Sequence, residues 1–343
     1  MRVKLEDVCE KGSSNIKQSD VENSNGDYPV FGASGYLGNV NFYHQDKPYV
    51  AVVKDGAGIG RTTMHPANSS VIGTMQYLLP KENILPEYLY YVVSYMNLSK
   101  YYSGATIPHI YFKDYKNEKF SLDCLDKQRQ IVMTLDKVQS IIDKRKKQLE
   151  KLDELVKSRF IELFGDPINN SKKLPTNKLK DILVLKAGDF TSAADIVKKP
   201  TMANIYPCYG GNGIRGYVSE YNQEGEYSLI GRQGALSGNV QYAKGKFKNT
   251  EHALLVTPLI KINSIWLNQL LLNLDLKRYQ TGAAQPGLSV KNLQEIRIID
   301  VSIEEQNQFA AFVKQIDKSK FEIKQSLEKL ELLKKALMQK YFG

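Results

Sequence analysis

Residues 126–165 read DKQRQIVMTLDKVQSIIDKRKKQLEKLDELVKSRFIELFG, and residues 304–343 read EEQNQFAAFVKQIDKSKFEIKQSLEKLELLKKALMQKYFG. The two stretches align without a gap at an offset of 178 residues (306 minus 128), so that Gln128 falls on Gln306. Both close on Phe-Gly. A repeat of this length predicts that one large structural unit occurs twice in the chain.

Each stretch has the pattern of a long helix. Neither contains Gly or Pro before its end, and both are rich in good helix formers. At 1.5 Å per residue each helix would be roughly 60 Å long, which is more than one small domain can cover. We therefore predict that the two helices form an antiparallel pair. Two surface helices covering separate cores are the alternative.

Apolar residues recur along both helices at steps of three and four, which is the spacing of a coiled-coil seam. Arg145 and Arg159 interrupt the first seam, and Lys320 and Lys334 interrupt the second. The apolar positions are Ile131, Leu135, Val138, Ile142, Leu149, Leu152, Val156 and Leu163 in the first helix, and Phe309, Val313, Ile316, Ile323, Leu327, Leu330, Leu337 and Tyr341 in the second.

The repeat extends well beyond the helices. YPVFG at 28–32 matches YPCYG at 206–210 at the same offset of 178 (206 minus 28). Near the start, KLED at 4–7 matches KLKD at 178–181 at an offset of 174 (178 minus 4), so the segment that follows is longer in the second copy. The chain is thus predicted to be a duplication of a globular portion followed by a long helix.

The predicted fold class is α+β, with two similar globular domains joined by an antiparallel coiled coil of two long helices in a pseudo-twofold internal duplication. The polar segment DPINNSKKLPTN is the predicted joint, and Ser302 with Glu305 predicts a capping box at the second helix. The predicted boundaries are 1–122 and 178–301 for the two domains, 123–165 and 302–343 for the helices, and 166–177 for the linker. Strands are predicted at 49–53, 75–79, 227–230 and 253–257, and shorter helices at 86–102 and 264–279.

Composition limits the classes of function. The 343 residues are 42% hydrophobic and 24% charged, with a net charge of +10, which favours a polyanionic partner. No apolar run approaches the length of a membrane span, and the N-terminus has no apolar signal-peptide core. Three cysteines without metal-ligand spacing favour a reducing, cytoplasmic compartment.

Two kinds of polar loop recur in both halves. DGAGIG at 55–60 matches QGALSG at 233–238, and each follows a predicted strand and a basic residue. The first is not a dinucleotide fingerprint, because Arg61 stands where a third Gly is needed. The segments at 103–109 and 281–287 contain Gly and Pro and follow basic and aromatic residues. Each loop alone is typical of an ordinary turn, but recurrence beside Lys and Arg favours contact with phosphates or bases.

Catalytic patterns are missing from the sequence. His44, His65, His109 and His252 do not recur in register, and no His, Cys or carboxylate set has ligand spacing. We find no phosphate-binding loop, no GxSxG segment and no motif of an amino-methyltransferase. We therefore expect no catalytic residue and no metal ligand.

The order of these segments, found twice, resembles the specificity (S) subunits of type I restriction–modification systems. The resemblance rests on YPVFGASGYLG, YPCYGGNGIRG, GRQGALSG, TGAAQPGLS and two helices that open near a Gln and close on Phe-Gly. It covers essentially the whole length.

The resemblance implies two target-recognition domains that read the two parts of a split DNA site, separated by an unread gap. It implies a helical spacer that docks two methyltransferase subunits, with restriction subunits in the full complex. It also implies a non-catalytic chain, so that S-adenosylmethionine, ATP and Mg²⁺ would belong to the partner subunits.

Candidate site residues follow from the repeated loops and from the helix surface. Apolar residues outside the seam are candidates for partner contact, although they could instead cap the adjacent domains. The predicted DNA-binding residues are Ser34, Tyr36, Lys54, Arg61, Thr106, His109, Asn212, Arg215, Arg232, Gln233, Gln285 and Lys291. The predicted partner-binding residues are Phe160, Ile161, Phe312 and Met338.

Two alternatives from other classes remain open. One is a self-contained DNA-modifying enzyme, against which the missing motifs argue. The other is a coiled-coil scaffold without a DNA role, against which the excess of Lys and Arg beside polar loops argues.

Overall fold

The structure is a computed structural model that describes residues 1–56, 58–104, 108–282 and 287–343. The chain divides into two compact units: unit 1 is Met1–Lys146 with Lys324–Gly343, and unit 2 is Lys147–Ile323. This division falls inside both long helices. Each unit therefore holds one globular portion, the first half of one long helix and the second half of the other.

Unit 1 combines short helices with mostly antiparallel strands. Its elements are β1 (Arg2–Lys4), α1 (Leu5–Val8), β2 (Cys9–Ser13), α2 (Gln18–Glu22), β3 (Tyr28–Gly32), β4 (Gly35–Val40), β5 (Tyr49–Val53), β6 (Thr62–His65), β7 (Ser70–Val71), β8 (Met75–Pro80), α3 (Pro86–Met96), α4 (Phe112–Tyr115), β9 (Lys119–Ser121) and the first half of α5 (Leu125–Phe164). They form sheets in the orders β2-β8-β5-β6, β4-β3-β7 and β1-β9. Helix α3 packs on the four-stranded sheet, where Leu89 and Val92 meet Val50, Val52 and Leu78.

Unit 2 repeats this order of elements, with a 3₁₀ turn (Ala193–Asp195) in place of α2 and one strand in place of β6 and β7. They are the second half of α5, then β10 (Thr176–Lys178), α6 (Leu179–Ile182), β11 (Leu183–Ala187), β12 (Tyr206–Gly210), β13 (Gly213–Val218), β14 (Gln223–Gly231), β15 (Val240–Asn249), β16 (Ala253–Pro258), α7 (Ser264–Asn273), α8 (Val290–Gln294), β17 (Arg297–Ile299) and the first half of α9 (Ile303–Phe342). The strands form one six-stranded sheet, β11-β16-β14-β15-β12-β13, and the pair β10-β17. Trp266 and Leu270 of α7 pack in the core with Ile230 and Val256.

One difference between the units has a local cause. The ten-residue β15 joins both halves of its sheet, whereas unit 1 has two short strands, β6 and β7, at the equivalent places. Pro66 follows β6 and has no N–H to donate, and Asn68 is left-handed with φ 55°. The equivalent stretch of unit 2 contains Lys-Gly-Lys and stays within β15, since Gly245 adopts its left-handed φ of 80° without strain.

The predicted strands are confirmed, with ends that differ by up to four residues. The two shorter helices are wrong at their ends, because α3 stops at Met96 and α7 at Asn273. Asn97 and Asp275 then adopt left-handed φ angles of 49° and 47°, and a 3₁₀ turn follows each. Asn and Asp tolerate this conformation better than other non-glycine residues, so the chain leaves the helix at the same place in both units.

The long helices are confirmed as α5 and α9, of forty residues each. In unit 1, Ile131, Leu135, Val138 and Ile142 are buried, and Lys334 Nζ of α9 donates to Gln139 Oε1 at 2.5 Å. Lys334 thus finds an acceptor across the pair, and its burial lowers the pKa of its ammonium group.

In unit 2, Val156 packs in the same core as Phe309 and Val313, and Lys320 Nζ lies 2.5 Å from Asp153 Oδ1. The predicted place of Leu163 in the seam is wrong, since its side chain is 37% exposed and Phe164 is buried instead. Within each unit the segments of α5 and α9 run antiparallel, because residues later in α5 contact residues earlier in α9.

The capping box of α9 is confirmed. The Ser302 N–H donates to Glu305 Oε2 at 3.1 Å, and the Glu305 N–H donates to Ser302 Oγ at 3.3 Å. These bonds satisfy two backbone groups at the start of the helix that would otherwise have no partner inside it. Within the residues that the structure describes, we find no helix with the length and apolarity that crossing a bilayer requires.

A buried glutamine holds the start of each long helix to its domain. Gln128 is fully buried: its Oε1 accepts from the Leu85 N–H at 2.9 Å, and its Nε2 donates to Asn83 O and Asp123 O, both at 2.9 Å. At the equivalent place in unit 2, Gln306 Oε1 accepts from the Asn263 N–H at 2.8 Å. The same side chain thus joins the helix entry to the loop before α3 or α7 in both units.

We predict that Gln128→Leu lowers the free energy of unfolding by about 1–3 kcal/mol, because it leaves buried backbone groups without partners. The matched control is Gln130→Leu at an exposed position of the same helix. Denaturant unfolding of the full chain measures both. Equal unfolding free energies for the two variants would show that the buried amide contributes nothing.

Candidate nucleic-acid interface

A β-hairpin with a glycine-dependent tip occurs in each unit. Strands β3 and β4 pair with a register shift after Val30, and β12 and β13 with a shift after Cys208. Gly35 and Gly213 begin the second strands with φ of 117° and 94°, which non-glycine residues avoid. The tips expose apolar side chains as well as polar ones: Tyr36 is 62% and Ile214 52% exposed.

The Gly-rich loop after β5 or β14 turns back on its own strand. The Gly60 N–H donates to Val53 O at 2.9 Å, and the Gly238 N–H donates to Gly231 O at 2.8 Å. A Cβ on Gly60 would lie 2.6 Å from Ser99 N, and one on Gly238 would lie 2.7 Å from Lys277 N. Glycine is therefore required here because the loop backbone touches the 3₁₀ turn that follows α3 or α7.

The second polar loop closes on itself and on the Gly-rich loop. Ser103 and His109 exchange backbone hydrogen bonds of 2.9 and 2.8 Å, as Thr281 and Gly287 do at 2.9 and 3.0 Å. The Ile110 N–H then donates to Lys54 O at 2.9 Å. In unit 2 the Leu288 N–H donates to Arg232 O, also at 2.9 Å. The predicted site residues Thr106 and Gln285 lie outside the described residues.

A side-chain bond joins the hairpin tip to the Gly-rich loop in each unit. In unit 1, Arg61 Nη1 donates to Ala33 O at 2.7 Å. In unit 2 the position equivalent to Arg61 is Asn239, whose Nδ2 donates to Asn212 Oδ1 at 2.9 Å. Hairpin tip, Gly-rich loop and polar loop thus form one connected surface in each unit, which we call the loop cluster.

In unit 2 the loop cluster encloses a cleft of about 420 Å³. Its lining brings together Asn212, Arg215 and Gln233, three of the predicted site residues, with Leu236 and His252. Gln233 Oε1 lies 3.3 Å from His252 Nδ1, and His252 Nε2 lies 3.1 Å from Glu251 Oε1. The cleft therefore offers amide, guanidinium and imidazole groups to a ligand.

Four predicted cations of the loop clusters have no carboxylate partner among the residues that the structure describes. Within the described ranges, we find no carboxylate within ion-pair distance of Lys54, Arg61, Arg215 or Arg232. Ser34, Tyr36 and Lys54 belong to the loop cluster of unit 1, where Asp55 Oδ1 lies 2.6 Å from His109 Nδ1. These surfaces can attract polyanions and form hydrogen bonds with them.

Comparison with known proteins gives the family of this chain. The family described as "Type I restriction modification DNA specificity domain" matches residues 1–154 and 172–334. The chain belongs to the type I restriction–modification DNA specificity family. It is 42% identical over 161 residues to the type I restriction enzyme EcoprrI specificity subunit of Escherichia coli, an alignment that covers 47% of this chain and 39% of that protein. The chain thus matches about two fifths of that relative's length.

Two solved structures share the fold of this specificity-family chain. The S subunit of a type I restriction–modification system from M. genitalium has a TM-score of 0.65 at 18% identity, covering 100% of this chain and 96% of its own. A chain from a structure on complex assembly and conformational transition of the type I R-M system has a TM-score of 0.56 at 16% identity, covering 99% and 97%. The α+β class with two recognition domains and two long helices is thereby confirmed.

Several features of the loop clusters were missed from the sequence of this specificity-family chain. His252 corresponds to Thr74 in the other half, and Asn239 corresponds to Arg61. Because neither residue recurs, repetition between the halves could not identify them. Asp55 could be recognised from the sequence only as a difference from Gln233 in the glycine pattern. Lys291 is exposed on α8, and within the described ranges we find no hydrogen bond or ion pair of its side chain.

The predicted partner-binding role of Phe160 is wrong, and its side chain instead packs in the adjacent domain. Its side chain is fully buried, with ring centroids 5.1 Å from Phe164 and 5.4 Å from Phe309. Phe160 lies one turn after the seam residue Val156, on the side of α5 that packs on Phe309 of α9 in the core of unit 2. Ile161, Phe312 and Met338 are partly buried, and their contact with a partner stays a prediction.

We predict that Gly60→Ala lowers the free energy of unfolding by about 1–3 kcal/mol or more. The φ of Gly60 is 78°, and the new Cβ would meet backbone atoms. Gly58→Ala is the matched control, since the nearest atom to its Cβ would be 3.7 Å away. Denaturant unfolding compares the two. Similar stability for both variants would show that the loop does not depend on this close approach.

Proposed function

We propose that this chain is the DNA sequence-recognition subunit of a type I restriction–modification complex, and that it reads a bipartite duplex site with an unread gap. Each unit would contact one part of the site through its loop cluster. The observation that carries the proposal is that the same cluster occurs in both units, each time with cations that have no carboxylate partner in the described residues. Family membership supports the same conclusion.

We further propose that the chain is non-catalytic and works with methyltransferase and restriction subunits. The name of its E. coli relative, a specificity subunit of a type I restriction enzyme, supports this division of roles. S-adenosylmethionine, ATP and Mg²⁺ would then be bound by the partners, and this chain would supply the choice of DNA sequence. A chain that bound S-adenosylmethionine by itself would instead be a DNA-modifying enzyme.

Replacing Lys54, Arg61, Arg215 and Arg232 by Ala should weaken duplex binding. Each phosphate that is no longer neutralised should reduce the slope of log affinity against log salt by roughly 0.9. Removing a side chain that reads a base should also relax one position of the site. Binding of labelled duplex, titrated at several salt concentrations, measures both effects.

The control for this variant removes the same charge elsewhere. Lys127, Lys137, Lys157 and Lys318 are exposed on the long helices and have no ion pair within the described ranges. Replacing these four by Ala lowers the net charge of +10 by the same four units. Equal salt slopes for the two variants would refute the assignment of the loop clusters, and no duplex binding by the parent chain would favour a scaffold.

The second prediction of this proposal concerns the gap. Inserting four residues into α5 after Lys146 and four into α9 after Ile323 leaves the contacts within each unit unchanged, because both insertions fall at the division between the units. Each helix gains about 6 Å, close to two base-pair steps, and its apolar stripe stays nearly in phase. We expect the same half-site sequences with a gap one or two base pairs longer.

Methylation mapping of a strain that carries only the lengthened version measures this gap. A control version with four residues inserted into the linker at 166–175 should keep the original gap, because the helices are unchanged. An unchanged gap in the lengthened version, at full activity, would show that the helices do not set the spacing. Altered half-site bases would show that recognition is not confined to the globular portions.

A further inference from the structure

Residues 55 and 233 occupy the same place in the two loop clusters but carry different side chains. Each follows the basic residue that opens the Gly-rich loop. Asp55 forms an isolated antiparallel bridge with His109, and Gln233 forms one with Gly287. The backbone frame is therefore equal in the two units, and any difference in what this position binds must come from the side chain.

Asp55 is an unexpected residue for a surface that would face DNA. Its carboxylate is partly exposed, with Oδ1 held 2.6 Å from His109 Nδ1. In the described part of the chain, no Lys or Arg lies within ion-pair distance of it, although Lys54 is its neighbour, and we find no hydrogen-bond partner for Oδ2. A carboxylate repels phosphates, so on such a surface its favourable contact is a hydrogen-bond donor on a base edge.

The amide of Gln233 has the opposite character. It is exposed and lines the cleft of unit 2 together with Asn212 and Arg215. Its Oε1 lies 3.3 Å from His252 Nδ1, and within the described ranges its Nε2 has no acceptor. A side-chain amide offers one acceptor and two donors, the pattern that matches N6 and N7 of adenine in the major groove.

We propose that residues 55 and 233 are the base-reading positions of the two loop clusters. Asp55 accepts a hydrogen bond from the N4 amino group of cytosine in one half-site, and Gln233 contacts adenine through two hydrogen bonds in the other. This inference rests on the proposed function, since it requires that both loop clusters bind duplex DNA. It adds to that function the chemistry by which the two half-sites differ.

The competing explanation is that the pair formed by Asp55 and His109 only joins two loops. The variant Asp55→Asn distinguishes this joining role from the reading of a base. The asparagine Oδ1 can still accept from His109, so the join is kept, while the second oxygen becomes an amino group that donates. Gln233→Glu makes the reverse change in unit 2, because it turns a donating group into an accepting one.

The experiment selects bound duplexes with the full chain from a library that is randomised over both half-sites. The parent chain first defines its site, in which we expect cytosine at the position read by Asp55 and adenine at the one read by Gln233. Asp55→Asn should reverse the preference at that one position toward guanine or thymine, by about tenfold or more. Gln233→Glu should change one position in the other half-site and leave the first half-site intact.

Each result decides between the explanations. A variant that keeps every base preference of the parent, or that weakens binding equally for all sequences, overturns the base-reading role of its residue. Changes by both variants in the same half-site overturn the assignment to separate units. If Asp55→Asn fails to fold in a thermal unfolding control, the exposed Gln233→Glu decides alone. A parent chain that selects no bipartite site refutes the proposed function itself, which is a different outcome.

Discussion

Two buried side-chain amides determine how each long helix leaves its domain. Long polar side chains are rarely fully buried, yet Gln128 is 0% and Gln306 only 4% exposed. Each joins the first turn of a forty-residue helix to the loop that begins α3 or α7. Leaving such groups unpaired costs about 1–3 kcal/mol, so these hydrogen bonds fix the helix entry to this loop. Helix α3 or α7 in turn packs on the sheet that ends in the Gly-rich loop, so each loop cluster is held in a defined orientation to its own helix.

In the loop clusters the backbone holds the loops together, and the side chains differ between the two units. Backbone hydrogen bonds and left-handed glycines hold the Gly-rich loop against the polar loop in both units, so most side chains there are free to differ. The join between hairpin tip and loop does use side chains. There the arginine of unit 1 and the asparagine of unit 2 reach different acceptors from the same position. A frame of this kind can present two different sets of hydrogen-bonding groups without a change of fold.

The duplication, the two long helices and the strands at the centre of each unit could be predicted from the sequence, because repetition at a constant offset and apolar spacing report them directly. The ends of α3 and α7 could not, since leaving the helix at Asn97 and Asp275 depends on packing of the following turn. Phe160 was misplaced because spacing along a helix shows a stripe but not where the helix meets a domain. His252 and Asn239 were missed because their roles differ between the units, and repetition can only identify what is shared.

The distribution of charge is more informative than its total. The run AKGKFK at 243–248 is a basic stripe with three lysines. On the structure this stripe is neutralised. The ion pairs are Lys244 with Glu226 at 2.8 Å, Lys246 with Glu224 at 3.9 Å and Lys248 with Asp189 at 3.6 Å. Hydrogen bonds from Lys244 and Tyr242 hold the pKa of the Glu226 carboxyl below its usual range, so the pair stays ionised at neutral pH.

Exposed pairs of this kind contribute little to stability, but they remove the attraction that a phosphate would meet there. Lys54, Arg61, Arg215 and Arg232 differ from the lysines of this stripe in having no such carboxylate among the described residues. In unit 2, Arg215 and Arg232 of the loop cluster therefore keep the positive charge that the lysines of this stripe lose to their carboxylates. Asp55 is the acidic exception in the loop cluster of unit 1, where its carboxylate lies 2.6 Å from His109 Nδ1, and the proposed contact with a base amino group would give that carboxylate a hydrogen-bond donor.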